Sequence, residues 1–202
     1  MFRILRGCLL SFKNSVIPLN KFIIILDFVL IAIIGYFTWY MATDYRTFYG
    51  RAHMPFVLWV IDTIDLFIHE GGHFFFSFMG RMIYFMGGSL MQMVLPSLAI
   101  YVFLKSSLRS LIGTLYWLGH NMINVSVYIG DAPFRRLPLL GGDNSIHDWN
   151  WIFNHTGMMD SAETISGIVL ILGVIACCGA VGTAIYFLIV DTKEAISESR
   201  FS

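Results

Sequence analysis

The chain has 202 residues, of which 57% are apolar, 16% aromatic and only 13% charged, and its mean hydropathy is +0.72. A soluble domain carries about 25% charged and roughly 45–50% apolar residues, so this composition excludes a disordered chain and argues against a soluble globule. Basic and acidic residues balance at 13 each, which leaves no positive excess for nucleic acid, and the three cysteines, Cys8, Cys177 and Cys178, make no disulfide framework.

Residues 1–21 hold Arg3, Arg6, Lys13 and Lys21 and no acid. Their apolar stretch is too short for a signal peptide, so they read as a basic leader lying along the cytoplasmic membrane surface. Five apolar segments follow, Phe22–Ala42, Pro55–Met79, Met82–Leu104, Leu108–Ile129 and Thr164–Val190. Each reaches the ~20 residues that cross a bilayer as a helix, and a helix satisfies its own backbone in lipid. The expected fold is all-α: a single polytopic transmembrane domain over residues 1–202 with about five spanning helices. Residues 131–161 form the one long loop, and 191–202 a polar tail. With the leader cytoplasmic, five alternating crossings put that loop on the cytoplasmic side and the tail outside. The expected location is integral to a membrane, with the lipid bilayer as the surroundings.

The second segment contains His69-Glu70-Gly71-Gly72-His73, an H-E-x-x-H pattern on a helix. Histidines at i and i+4 project from one face and can bind one zinc ion. Zinc makes a water acidic near neutral pH, and Glu70, beside the first histidine, is placed to take its proton. Asp62, Asp65, His69 and His73 share one helical stripe. The third segment carries Ser89, Gln92 and Pro96 at similar spacing, and the fourth His120, Asn124, Tyr128 and Asp131 with Asn121 beside them. Polar stripes of this kind face a bundle interior or a water-filled cavity. Interhelical hydrogen bonding alone explains Ser89, Gln92 and Asn121, but poorly explains aspartates and histidines. Gly87-Gly88 suggests a break in the third helix. Ala176, Ala180 and Ala184 form a small-residue face on the last.

A zinc hydrolase takes three protein ligands and leaves one position open. Asp65 lies eight residues from His73, roughly 12 Å along a helix, too far to share one ion. It reads instead as a partner that orients His69. His120 lies at matching depth on the fourth helix, Asp131 nearer the surface on the same face, and His147 and Asp148 arrive with the long loop. Asp148 also suits the N-cap of a short helix carrying Trp149, Ile152 and Phe153. Trp149, Trp151 and Phe153 suit anchoring at the membrane interface, and the loop suits a lid. His53 and His155 sit near helix ends, as interfacial residues do. Asp27 has no role in this reading, and Asp62 two: a cavity water or a neighbouring helix.

His69–His73, followed by Gly87-Gly88-Ser89-Leu90-x-Gln92 and Pro96, resembles bacterial membrane proteins that are similar to site-2-protease intramembrane zinc metallopeptidases. Trp117-Leu118-Gly119, Tyr128-Ile129-Gly130-Asp131-Ala132, Leu137-Pro138-Leu139-Leu140-Gly141-Gly142 and His147-Asp148-Trp149 fit the same pattern, so the resemblance covers about residues 55–170. The Asp-Gly motif that supplies the third ligand in site-2 proteases is absent here. The resemblance implies a zinc-dependent intramembrane peptidase that cuts a membrane-embedded protein or peptide, with its site near the cytoplasmic side. His69 and His73 would bind one zinc ion and Glu70 would act as base, with Asn121 or Asn124 assisting the developing oxyanion. The distinctive loop makes His147 the favoured third ligand, with His120, Asp131 and Asp148 as alternatives. The competing readings are a non-catalytic metal-binding membrane protein and an inactive relative that binds transmembrane segments; Glu70 weighs against both, since metal binding alone does not need it. A transporter would show broken helices in two related halves, which the sequence lacks. An oligomer is compatible with the small-residue face.

Overall fold

The computed structural model describes residues 19–43, 54–142 and 145–201. The leader before Leu19, with Cys8, and His53 lie outside these residues. All regular structure among them is helical. Helix α1 spans Leu19–Thr43, α2 Phe56–Phe76, α3 Arg81–Leu104, α4 Leu111–Asp131, α5 Asp148–Thr156 and α6 Ala162–Phe201. Every apolar segment is therefore a helix, and the long loop contains α5. The polar tail is not a separate coil but the end of α6, a helix of 40 residues. The stretch Asp191-Thr192-Lys193-Glu194-Ala195 holds no glycine or proline to stop it.

Among the described residues, three helical stretches are long and apolar enough to cross a membrane: Phe22–Thr43, Arg81–Leu104 and Met159–Ser197. α2 and α4 fall short because they carry the polar stripes. Their positions make those stripes tolerable. α4 packs against α3 and α6, with α1 behind, and buries Ile112, Tyr116 and Ile123 against Met41, Leu58, Cys177, Ala180 and Ala184. The small-residue face of α6 is thus turned inward at Ala180 and Ala184, while Ala176 is only half-buried. Ala180 is 0% exposed, so Ala180→Leu forces three extra carbons into a filled space at a cost of roughly 1–3 kcal/mol. A lowered unfolding temperature in detergent is the expected result; an unchanged one would mean that this face meets lipid.

The order of the helices departs from simple alternation. Arg109, just before α4, pairs with Asp191 of α6 at 2.5 Å and reaches Asp27 of α1 at 3.9 Å. Further along, Thr38 of α1 meets Cys177 of α6. α1 and α6 therefore run antiparallel, and the start of α1 shares one end of the bundle with Asp191. Five strictly alternating crossings would run these two helices in the same direction. The long loop leaves α4 at its other end, roughly 30 Å away for 21 residues, so the start of α1 and the loop lie at opposite ends of the bundle. Asp27, unassigned from sequence, is the partner of Arg109.

The long loop is built on Asp131, whose carboxylate accepts the backbone N–H of Arg136 at 2.9 and 3.0 Å and of Leu137 at 2.9 Å. It then docks α5 onto α3 and α4. Trp149 donates its indole N–H to Ser89 at 3.0 Å, Trp151 stacks on Phe85 at 4.3 Å, and Phe153 is buried with Ile152, Val125 and Ile129. The aromatic residues expected at the membrane interface thus hold α5 against the protein. Exposed His155 stacks on Trp151 and takes no part in the site.

Candidate metal centre

The i, i+4 spacing on α2 brings the rings of His69 and His73 to 4.8 Å, and both are buried. α3 packs directly on this face. A Cβ on Gly88 would run into the His69 ring, and a Cβ on Gly72 into the Gly87 carbonyl oxygen. The glycine pair therefore does not break α3, which is continuous through it. It lets the His69 ring and the α2 backbone lie against α3.

α5 completes the site. Asp148 is its first residue, and His147 is its N-cap, accepting the Asn150 N–H on Nδ1 at 3.3 Å. The expected capping role thus belongs to His147, which frees the Asp148 carboxylate to face α2. Asp148 Oδ2 lies 3.0 Å from His69 Nε2 and 3.2 Å from His73 Nε2. Tyr128 of α4 donates its hydroxyl to the same oxygen at 3.2 Å and accepts the Asp148 N–H at 3.1 Å. Burial disfavours the Asp148 charge, but hydrogen bonds from the two histidines outweigh it and hold the carboxyl below the usual range.

His69, His73 and Asp148 are the one group among the described residues with ligand atoms clustered closely enough to hold a metal ion, all within 4.8 Å of one another. The outer ring nitrogens fit that use. His69 Nδ1 is 2.8 Å from Gln92 Oε1, and His73 Nδ1 is 2.8 Å from the Tyr84 carbonyl oxygen. Facing an acceptor, each Nδ1 carries the proton, so each neutral ring turns the lone pair of Nε2 inward, the form that binds metal. Two lone pairs and a carboxylate then converge and repel unless a cation lies between them. Protons on Nε2 can serve, and a divalent metal would replace them.

Other expected ligands lie elsewhere. His147, the favoured third ligand, directs Nε2 to Asp131 at 3.4 Å and packs its ring on Tyr128 at 4.3 Å. Burial pushes its imidazole below the usual value against the pull of Asp131. Asp131 is engaged with the loop backbone. His120 sits between Asp62 at 3.1 Å and Asp65 at 3.0 Å. Asp65 does not orient His69: it accepts from Trp117 and faces His120, and Gln92 takes the expected role. Asn121 turns back to the Trp117 carbonyl, away from any oxyanion role. Gln92 and Tyr128 were visible as stripe residues without assigned roles. The Tyr84 carbonyl had no signal, because a backbone group is invisible to residue type.

A cavity of about 480 Å³ runs along α2 beside these residues, lined by Asp62, Leu66, Glu70, Gln92 and Asn124 and roofed by loop residues 136–140. Glu70 is half-buried in its wall, one residue from His69. No protein-family model, curated protein or solved structure matches the chain.

Proposed function

We propose that this chain is a membrane-embedded zinc metallopeptidase that hydrolyses a peptide bond of a membrane protein or peptide. The observation that carries this reading is the convergence of His69, His73 and Asp148 beside Glu70 in one cavity. The resemblance to site-2-protease-like peptidases supports it. Zinc, when bound, would supply the Lewis acidity that brings a water into the range of a carboxylate base. Glu70 accepts that water's proton and passes it to the leaving amide nitrogen. Gln92 and the Tyr84 carbonyl keep both imidazoles aimed, and Tyr128 steadies Asp148. Leu137 and Leu139, over the cavity, form the apolar contact for an extended substrate.

All five long helices are read as membrane-embedded. The outward faces of α2 support this, with Ile64, Phe67 and Phe74 exposed where lipid would meet them, while the polar stripes turn inward. With the basic leader in the cytoplasm of a bacterial cell, the metal centre opens towards the opposite face. The test is metal analysis of the full chain purified in detergent. About one zinc per chain is expected, absent from His69→Ala and His73→Ala. Wild-type protein without a transition metal would end this reading.

A further inference from the structure

Beside the metal centre, a second buried polar cluster joins α2 to α4. His120 and Asp65 have side chains that are 0% exposed and lie 3.0 Å apart through Nδ1 and Oδ2. The second oxygen of Asp65 accepts the Trp117 indole N–H at 2.9 Å. On its other side, His120 Nε2 makes an ion pair with Asp62 Oδ1 at 3.1 Å, out of line for a strong hydrogen bond. Two carboxylates and a histidine are a costly way to join two helices. Well-packed apolar side chains of similar volume often do so as well or better. The cluster calls for a purpose beyond cohesion.

Polar contacts lead from it to the metal centre. Asn124 Nδ2 approaches Asp62 Oδ1 at 3.5 Å, Gln92 Nε2 donates to Asn124 Oδ1 at 3.2 Å, and Gln92 Oε1 faces His69 Nδ1 at 2.8 Å. The direction of every link follows from the first. A carboxylate only accepts, so Asn124 turns its NH2 group to Asp62 and its carbonyl to Gln92. Gln92 answers with its own NH2 group, which leaves its carbonyl for His69. An acceptor there requires the proton on His69 Nδ1 and leaves Nε2, whose proton Asp148 accepts at 3.0 Å, as the position where a metal can replace that proton.

The contrast with His73 is informative. Its Nδ1 faces a backbone carbonyl, which is always an acceptor and needs no direction from elsewhere. The Gln92 amide can point either way, and a reversed amide would hold His69 in the tautomer that cannot bind metal through Nε2.

We propose that Asp62, held by His120, which Asp65 orients in turn, sets the tautomer of His69 through Asn124 and Gln92 and thereby sets the metal affinity of the centre. This rests on His69 being a ligand; Asp62 itself is a positioning residue.

The test uses Asp62→Asn, which keeps size but can present either a donor or an acceptor to Asn124. Zinc affinity of the full chain in detergent, measured by competition with a chromophoric chelator, should fall about 10-fold or more, within the 10–100-fold typical of such partners. Adding Gln92→Glu should restore it, because a carboxylate accepts from Nδ1 whatever lies behind it; a role in packing alone would not be rescued in this way. Nitrogen-15 NMR of histidine-labelled, metal-free protein at alkaline pH reads the tautomer itself. Wild type should show His69 protonated at Nδ1, and Asp62→Asn a mixture of both forms. Should Asp62→Asn fail to fold, Asn124→Ala cuts the same chain one link nearer and should give the same loss. Unchanged zinc affinity, or an unchanged Nδ1–H form in the variant, overturns the proposal. If wild type itself binds no zinc, the metal reading falls instead, and the NMR comparison still decides the relay.

Discussion

Glu70→Gln should leave zinc in place and lower cleavage of a co-expressed transmembrane substrate by about 100-fold or more, the size of effect that a positioned general base provides. Glu70 lines the cavity but stands outside the group formed by His69, His73 and Asp148. Its removal should therefore spare the metal. Glutamine keeps the volume and one hydrogen-bonding oxygen but cannot accept a proton at neutral pH. Metal content and cleavage must be measured on the same preparation, since their separation is the result that matters. Undiminished cleavage by Glu70→Gln would refute the peptidase mechanism. Loss of zinc with cleavage would make Glu70 a ligand.

The second large effect separates two neighbours in sequence. Asp148→Asn should cost zinc affinity on the order of 100-fold or more, above what outer-shell partners usually contribute, because the Asp148 carboxylate is where both Nε2 atoms converge. His147→Ala should keep zinc close to wild-type occupancy. Its ring nitrogens serve the α5 N-terminus and Asp131, so the expected damage is to the docking of α5, seen as lower stability. A loss of cap typically costs ~1 kcal/mol. Zinc retained in Asp148→Asn and lost in His147→Ala would reverse the assignment and restore His147 as ligand.

Much of the architecture is legible in the chain because hydrophobic periodicity and length are local properties. All five apolar segments are helices, with ends within a few residues except where α6 runs on to Phe201. His69, Glu70 and His73 are equally legible, since i, i+4 spacing alone puts both imidazoles on one face. The polar stripes announced that α2, α3 and α4 would face one another. Gln92, Asn124 and Tyr128 all lie on those stripes, and all line the cavity.

Tertiary structure decided the rest, because each remaining question turned on which of several chemically equivalent groups comes near another in space. His147 and Asp148 are adjacent in sequence and equally able to bind metal. The phase of α5 docked on Ser89 and Phe85 chooses between them, turning Asp148 towards α2 and His147 towards Asp131. Asp65 is the expected partner for His69, but the crossing of α3 over α2 at Gly88 brings Gln92 there instead. The course of α1 depends on one long-range ion-pair cluster at Arg109, which no count of alternating crossings contains. Local spacing fixes which side chains share a face of one helix. Only packing between helices, through small residues and docked aromatics, determines which of those faces meet and at what height.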